Sequence, residues 1–230
     1  MWGFSSSPLL LDDKVIIAAA GSLIAYNADT GEPRWSVPAA GDCYSSPHEF
    51  KINGMTQVVL QHKAGIIGVN PSDGKRLWEH SWSGEPIVQP TMTTDGDLLV
   101  SVSDRSGVRR LTITPKGEAW SVQERWTSLA IKPYFNDSIL HNGFLYGFDG
   151  PSLSCMDIQD GQRKWKGGRY GRGQIILLSD QDLLIVLSEK GEIALVDASP
   201  DQFVERGRIP GIKGKDRKST RLNSSHGKLS

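Results

Sequence analysis

The sequence predicts an all-β chain: an incomplete β-propeller of four-stranded antiparallel blades, with about five blades present. Three observations predict it. Short runs rich in Val, Ile and Leu alternate with turns of Gly, Asp and Asn. A turn-and-tryptophan pattern, AYNADTGEPRW at Ala25–Trp35, returns as GVNPSDGKRLW at Gly68–Trp78 and CMDIQDGQRKW at Cys155–Trp165, with a shortened copy, LTITPKGEAW, at Leu111–Trp120. The turn glycines Gly31, Gly74, Gly117 and Gly161 lie 43, 43 and 44 residues apart, and Pro8, Pro47, Pro90 and Pro133 form a second ladder spaced 39, 43 and 43. Two ladders in phase at roughly 40–45 residues are the mark of propeller blades. A solenoid of single strands needs a shorter repeat, and a sandwich does not hold two ladders in phase. No segment shows helical periodicity.

Each unit reads the same way inside. The first blade, about 5–40, runs SSPLLL, a turn at Asp12-Asp13, VIIAA, a turn at Ala20-Gly21, LIAYN, a turn at Asp29-Thr30-Gly31, and PRWSV. The second, about 44–83, ends in the second copy of the pattern, and the third, about 87–128, carries the shortened one. The fourth, about 130–168, runs SILH, FLYGF, LSCMD and RKWK. Its Asn142-Gly143 pair is a strong hairpin signal, since both residues tolerate positive φ. The fifth, about 173–212, runs QIILLS, DLLIVLS, IALVD and FVERGRI, with no Trp.

The repeated residues have a mechanical reading. A blade is a small twisted sheet whose faces its neighbours must cover. A Trp on its outermost strand lays its ring across the next blade and donates its indole N–H to a main-chain carbonyl there. Gly at the turn supplies positive φ and close approach. The blade-docking set is therefore Gly31 and Trp35, Gly74 and Trp78, Gly117 and Trp120, Gly161 and Trp165. Trp82 and Trp126 are read as inter-blade packing too.

The totals exclude several classes. The 230 residues carry a formal net charge of zero, so no global field favours nucleic acid. Apolar runs such as LLIVL are strand-length and do not span a bilayer, and MWGFSSSPLL is no signal peptide. Cys43 and Cys155 match no metal or redox spacing and read as buried small hydrophobes. The tail, 216–230, reads as non-native: Asp216–His226, DRKSTRLNSSH, is the in-frame translation of a short-read sequencing adaptor. Without that tail, 22 basic and 25 acidic residues remain. The chain is thus expected to be a piece of a longer one, and its open arc is expected to aggregate.

The pattern resembles the tryptophan-docking motif of the pyrroloquinoline-quinone (PQQ) repeat. Trp35, Trp78 and Trp165 match its docking position, and Asn27, Asn70 and Asp157 its polar position. The third unit departs, with Ile113 and Lys116 at the polar positions. The absence of a Trp-Asp dipeptide at any unit's end disfavours WD40. The resemblance implies a ring of about eight blades and an extracytoplasmic, periplasmic bacterial protein. It covers quinoprotein dehydrogenases and also propellers without cofactor, the BamB-like branch among them. A PQQ enzyme would need a calcium site of Glu, Asn and Asp, a general-base Asp and usually adjacent cysteines, and no adjacent cysteines occur. Asp12-Asp13, Asp95 and Asp97 fall at hairpin turns, where acids are common. His48, His62, His80 and His141 have no ligand spacing and read as surface or loop residues. GGRYGRG, Gly167–Gly173, lacks the following helix of a phosphate loop and reads as an inter-blade loop, with Arg169 and Arg172 a basic spot. The reading is a non-catalytic scaffold with no catalytic residues and no cofactor. Its partner is a protein or small ligand on a propeller face, and neither nucleic acid nor a membrane span is implied. The alternative is a fragment of a quinoprotein oxidoreductase using PQQ and calcium.

Overall fold

The computed structural model describes residues 6–39, 44–82, 84–101 and 106–211. They form five four-stranded antiparallel sheets, each a meander in chain order. Sheet 1 holds β1 (Leu9–Leu11), β2 (Lys14–Ala19), β3 (Ser22–Asn27) and β4 (Pro33–Pro38). Sheet 2 holds β5 (His48–Ile52), β6 (Met55–His62), β7 (Gly65–Val69) and β8 (Arg76–Ser81). Sheet 3 holds β9 (Thr91–Met92), β10 (Leu98–Val100), β11 (Val108–Lys116) and β12 (Ala119–Ser128). Sheet 4 holds β13 (Ile139–His141), β14 (Phe144–Asp149), β15 (Ser152–Asp157) and β16 (Arg163–Gly167). Sheet 5 holds β17 (Gln174–Leu178), β18 (Leu183–Leu187), β19 (Glu192–Asp197) and β20 (Glu205–Pro210). Among the described residues the only helical element is a single 3-10 turn, Ser179–Gln181. Cys43 and the tail at 216–230 lie outside the described residues.

First strands of neighbouring sheets lie side by side, β1 with β5 and β13 with β17, along one edge of the arc, and the fourth strands lie along the other, where β8 meets β12. Four apolar cores join the five sheets. Leu23, Trp35 and Leu60 belong to the first, Ile66, Trp78 and Leu111 to the second, Leu99, Ile131 and Met156 to the third, and Phe148, Trp165 and Val186 to the fourth.

Burial follows from that stacking. A sheet covered on both faces needs apolar residues at every strand position, whereas one covered on a single face alternates. β7 is buried throughout, and β15 at all but its last residue. β2 and β18 alternate instead, because sheets 1 and 5 each have a neighbour on one side only. Leu10 on sheet 1, and Ile176 and Ile209 on sheet 5, stand exposed on the faces without a neighbour. The described arc therefore closes no ring.

The proline ladder needs one correction. Pro8, Pro47 and Pro90 each directly precede the first strand of a sheet, but Ser138 holds that place before β13. Pro133 lies five residues earlier, in the linker. A side-chain relay marks the true register along the edge of the first strands. The Ser7 amide donates to the Ser46 hydroxyl (2.8 Å), the Ser46 amide to Gln89 Oε1 (3.0 Å), and the Gln89 amide to Asp137 Oδ1 (2.8 Å). The side chain two residues before β5, β9 and β13 thus caps the amide of its counterpart one sheet back. Proline at the next position, lacking an N–H, leaves no second donor to satisfy.

Candidate interaction site

Strand pairing fixes where the tryptophans stand. In every sheet a β-bulge interrupts the pairing of the third and fourth strands. Just before it Ala25 faces Trp35, Gly68 faces Trp78, Arg110 faces Trp126, Cys155 faces Trp165, and Leu195 faces Gly207. A bulge adds twist and turns the next side chain outward. Trp35 donates its indole N–H to the Pro71 carbonyl of sheet 2 (3.0 Å). Trp126 reaches Ile158 of sheet 4 (3.1 Å), and Trp165 reaches Ser199 of sheet 5 (2.7 Å). Gly74, at φ +73°, lies against the Trp35 ring, where an added Cβ would come within 2.8 Å. Gly161 receives Trp126 in the same way, at 3.0 Å.

Trp78 and Trp120 behave differently. Trp78 is buried between sheets 2 and 3, but its N–H goes to Gln57 Oε1 of its own sheet (2.7 Å), and its ring lies on Gly68. Gly117 meets no atom, and Trp120 faces Pro115 near a hairpin tip. The position assigned to Trp120 therefore belongs to Trp126. In sheets 1, 2 and 4 the side chains of Asn27, Asn70 and Asp157 accept turn amides two residues on, which ends the strand pairing. The side chain of Ile113 has no acceptor to offer a turn amide. β11 and β12 therefore run on as a longer ribbon, and counting from Gly117 lands on its tip. Asn53 Nδ2 ties that ribbon to sheet 2 through the Ile113 carbonyl (2.6 Å).

Several contacts escaped the sequence reading. Arg76 Nη2 donates to the Pro38 carbonyl of sheet 1 (2.7 Å), and Arg163 Nη2 to the Ala130 carbonyl ahead of sheet 4 (2.9 Å). Both stand two residues after a turn glycine, a signal present in the sequence. Asp97 is more than a turn residue. It is buried and accepts from Arg110 Nε (2.6 Å), whose guanidinium also binds Asp95 and the Ile158 carbonyl of sheet 4 (2.8 Å). The Thr93 hydroxyl bond and the Arg110 charge hold Asp95 below the ordinary carboxyl range, against the push of burial.

A family model described as outer membrane protein assembly factor BamB, built on PQQ repeats, matches residues 2–166. The chain belongs to that family. BamB of Burkholderia pseudomallei (strain K96243) is 26% identical over 165 residues, covering 71% of this chain and 42% of the relative. BamB of Nitrosomonas eutropha (strain DSM 101675 / C91 / Nm57) is 24% identical over 146 residues, covering 64% and 34%. The chain spans less than half the length of these curated relatives. Among solved structures, BamB from Moraxella catarrhalis superposes with a TM-score of 0.50 at 14% identity, over 92% of this chain and 77% of its own. The computationally designed Ika8 protein gives 0.64 at 12% identity, over 91% and 63%. At such identities the solved structures show the fold alone.

The remaining candidates of this BamB-like chain have local partners. His48, His62, His80 and His141 are strand residues rather than loop residues. His62 is buried and its Nδ1 accepts the Ala64 amide (3.3 Å), while His48 contacts Gln89 (2.8 Å) and His141 contacts Asp182 (2.6 Å). Among the described residues no three His, Cys, Asp or Glu side chains group as a metal site requires. Cys155 is buried, and burial pushes its thiol up to about 12. The glycine-rich stretch is the linker from β16 to β17. Tyr170 is buried within it, and the Arg172 guanidinium lies 4.1 Å from the Tyr134 ring centroid.

Proposed function

We propose that this BamB-like chain is part of a non-catalytic propeller scaffold that holds a protein partner during outer membrane protein assembly, outside the cytoplasm. One observation carries the reading. The recurrent residues of the repeat face the sheet junctions, where Trp35, Trp126 and Trp165 each hold a neighbouring sheet. The loops at the two ends of the sheets are then left to bind, as rigid scaffolds commonly present them. The family description and the names of the relatives support the same role. Among the described residues no helix is long and apolar enough to cross a membrane.

The test is genetic and biochemical. Deleting the full-length gene is expected to lower the amount of folded outer membrane β-barrel protein, and unchanged amounts would count against the reading. Full-length protein given PQQ and calcium is expected to leave an artificial electron acceptor unreduced. Quinone-dependent reduction would establish an oxidoreductase instead.

A further inference from the structure

We propose that Lys132, Arg163 and Lys166, gathered around Asp149 where the linkers enter and leave sheet 4, seat a carboxylate from an acidic segment of a protein partner; this rests on the scaffold reading above. Asp149 ends β14, and its side chain is 8% exposed. Its Oδ2 accepts from Arg163 Nη2 (2.6 Å) and Lys166 Nζ (2.8 Å), and its Oδ1 lies 3.3 Å from Lys132 Nζ. Burial pushes this carboxyl up, but the hydrogen bonds and charges of Lys166 and Lys132 outweigh it and hold it below the ordinary range. It is therefore ionised near neutral pH, and three cations share one negative charge.

Holding a linker does not require that surplus. Sheet 2 makes the same backward clamp with Arg76 on the Pro38 carbonyl, and there Glu79 pairs with the arginine (2.8 Å). Lys166 stands at the position of Glu79, five residues after the turn glycine. One clamp is neutral and the other keeps an excess of two positive charges. Among the described residues Asp149 is the one acceptor that either ammonium reaches. Their other N–H groups face water, since both side chains are about one-third exposed (33% and 38%). The linker at 168–173 adds the exposed Arg169 and Arg172. Carboxylates around these linkers have partners of their own: Glu189 packs on Gly171, Asp137 accepts the Gln89 amide, and Glu205 accepts from the Tyr170 hydroxyl and Arg208.

An oxyanion entering here meets donors already held in place, which makes charge-assisted bonds favourable. Arg163 and Lys166 stand exposed over a buried carboxylate, and the scaffold reading makes a protein segment the source of the entering group.

The experiment is a fluorescence anisotropy titration of the full chain with a labelled oligoglutamate peptide at low salt. Saturable binding is expected, weakened by about tenfold in the Lys132→Gln/Lys166→Gln variant, the loss of roughly one charged hydrogen bond. A Lys51→Gln/Lys75→Gln control, remote from the cluster, is expected to bind as the unaltered chain does. No binding, or equal binding by the first variant with an unchanged circular dichroism spectrum, overturns the proposal. So does tighter binding to anionic phospholipid vesicles or to inorganic phosphate than to the peptide. Should the double variant unfold, Lys166→Arg must retain binding and Lys132→Gln alone must weaken it. A failed titration beside an intact deletion phenotype sinks only this site. A titration that succeeds while deletion has no phenotype sinks the assembly role and leaves the anion seat standing.

Discussion

Gly31 and Gly74 offer a matched pair for measuring the force that joins two sheets. Both end the turn of the repeated pattern, at φ +74° and +73°. An added Cβ at Gly31 meets nothing within 4 Å, whereas at Gly74 it comes within 2.8 Å of the Trp35 ring. Gly31→Ala therefore carries only the left-handed backbone strain, about 1–2 kcal/mol. Gly74→Ala carries the same strain and also displaces a buried ring that holds the Pro71 carbonyl. Overpacking adds about 1–3 kcal/mol, so Gly74→Ala should cost about 2 kcal/mol more than Gly31→Ala. In a Trp35→Leu background the excess should vanish, giving a coupling within the range of roughly 0.5–3 kcal/mol found for residues in contact. Urea denaturation of the three single and two double variants, followed by circular dichroism, measures all the terms. Equal costs for the two glycines, or an excess that persists without the Trp, would refute the docking argument.

Three further outcomes follow from the same geometry. Trp126→Ala, which removes a half-buried ring and its bond to the Ile158 carbonyl, should cost about 2–3 kcal/mol, and Trp120→Ala, a half-buried ring near the ribbon tip, about 1 kcal/mol; the reverse order in a denaturation series would restore the Gly117-based register. Arg110→Ala leaves buried Asp97 unpaired and should cost about 3–5 kcal/mol, while Arg110→Met with Asp97→Leu should cost less than half of that; equal losses would show that the pair itself is not the source. Burial lowers the His80 imidazole below 6.5, against the raising influence of Glu124. The unfolded chain then binds more protons, so this contribution is full above about pH 6.5 and shrinks as pH falls towards the folded value. His80→Gln should flatten the melting temperature between about pH 7 and pH 5, and an unchanged slope would remove His80 from the acid response.

The fold was legible because its period is written twice, in turn glycines and in residues before first strands. Even the failure of one rung was visible in part. Ile113 breaks the Asx position that Asn27, Asn70 and Asp157 fill, and a strand without a stop signal continues. What the chain does instead, a ribbon that places Trp120 near its tip and leaves Trp126 at the bulge, depends on cross-strand pairing that no local spacing encodes. The indole of Trp78 turning to Gln57 was hidden for the same reason, since Gln57 lies two strands earlier in the chain. Arg76 and Arg163 left a readable trace, an arginine two residues past the glycine, but its meaning needs the preceding sheet's carbonyl. The Asp149 cluster is assembled from a linker, a strand end and a fourth strand, and appears only when sheet 4 is folded.

A propeller that acts as the proposed scaffold should be found in its cells bound to other proteins. The most direct measurement is quantitative affinity purification of the full-length protein from its own cells after mild cross-linking. Proteins that assemble the outer membrane are expected to be recovered with it in near-equal amounts. Recovery of the protein alone, or with electron-transfer proteins in their place, would contradict the scaffold reading.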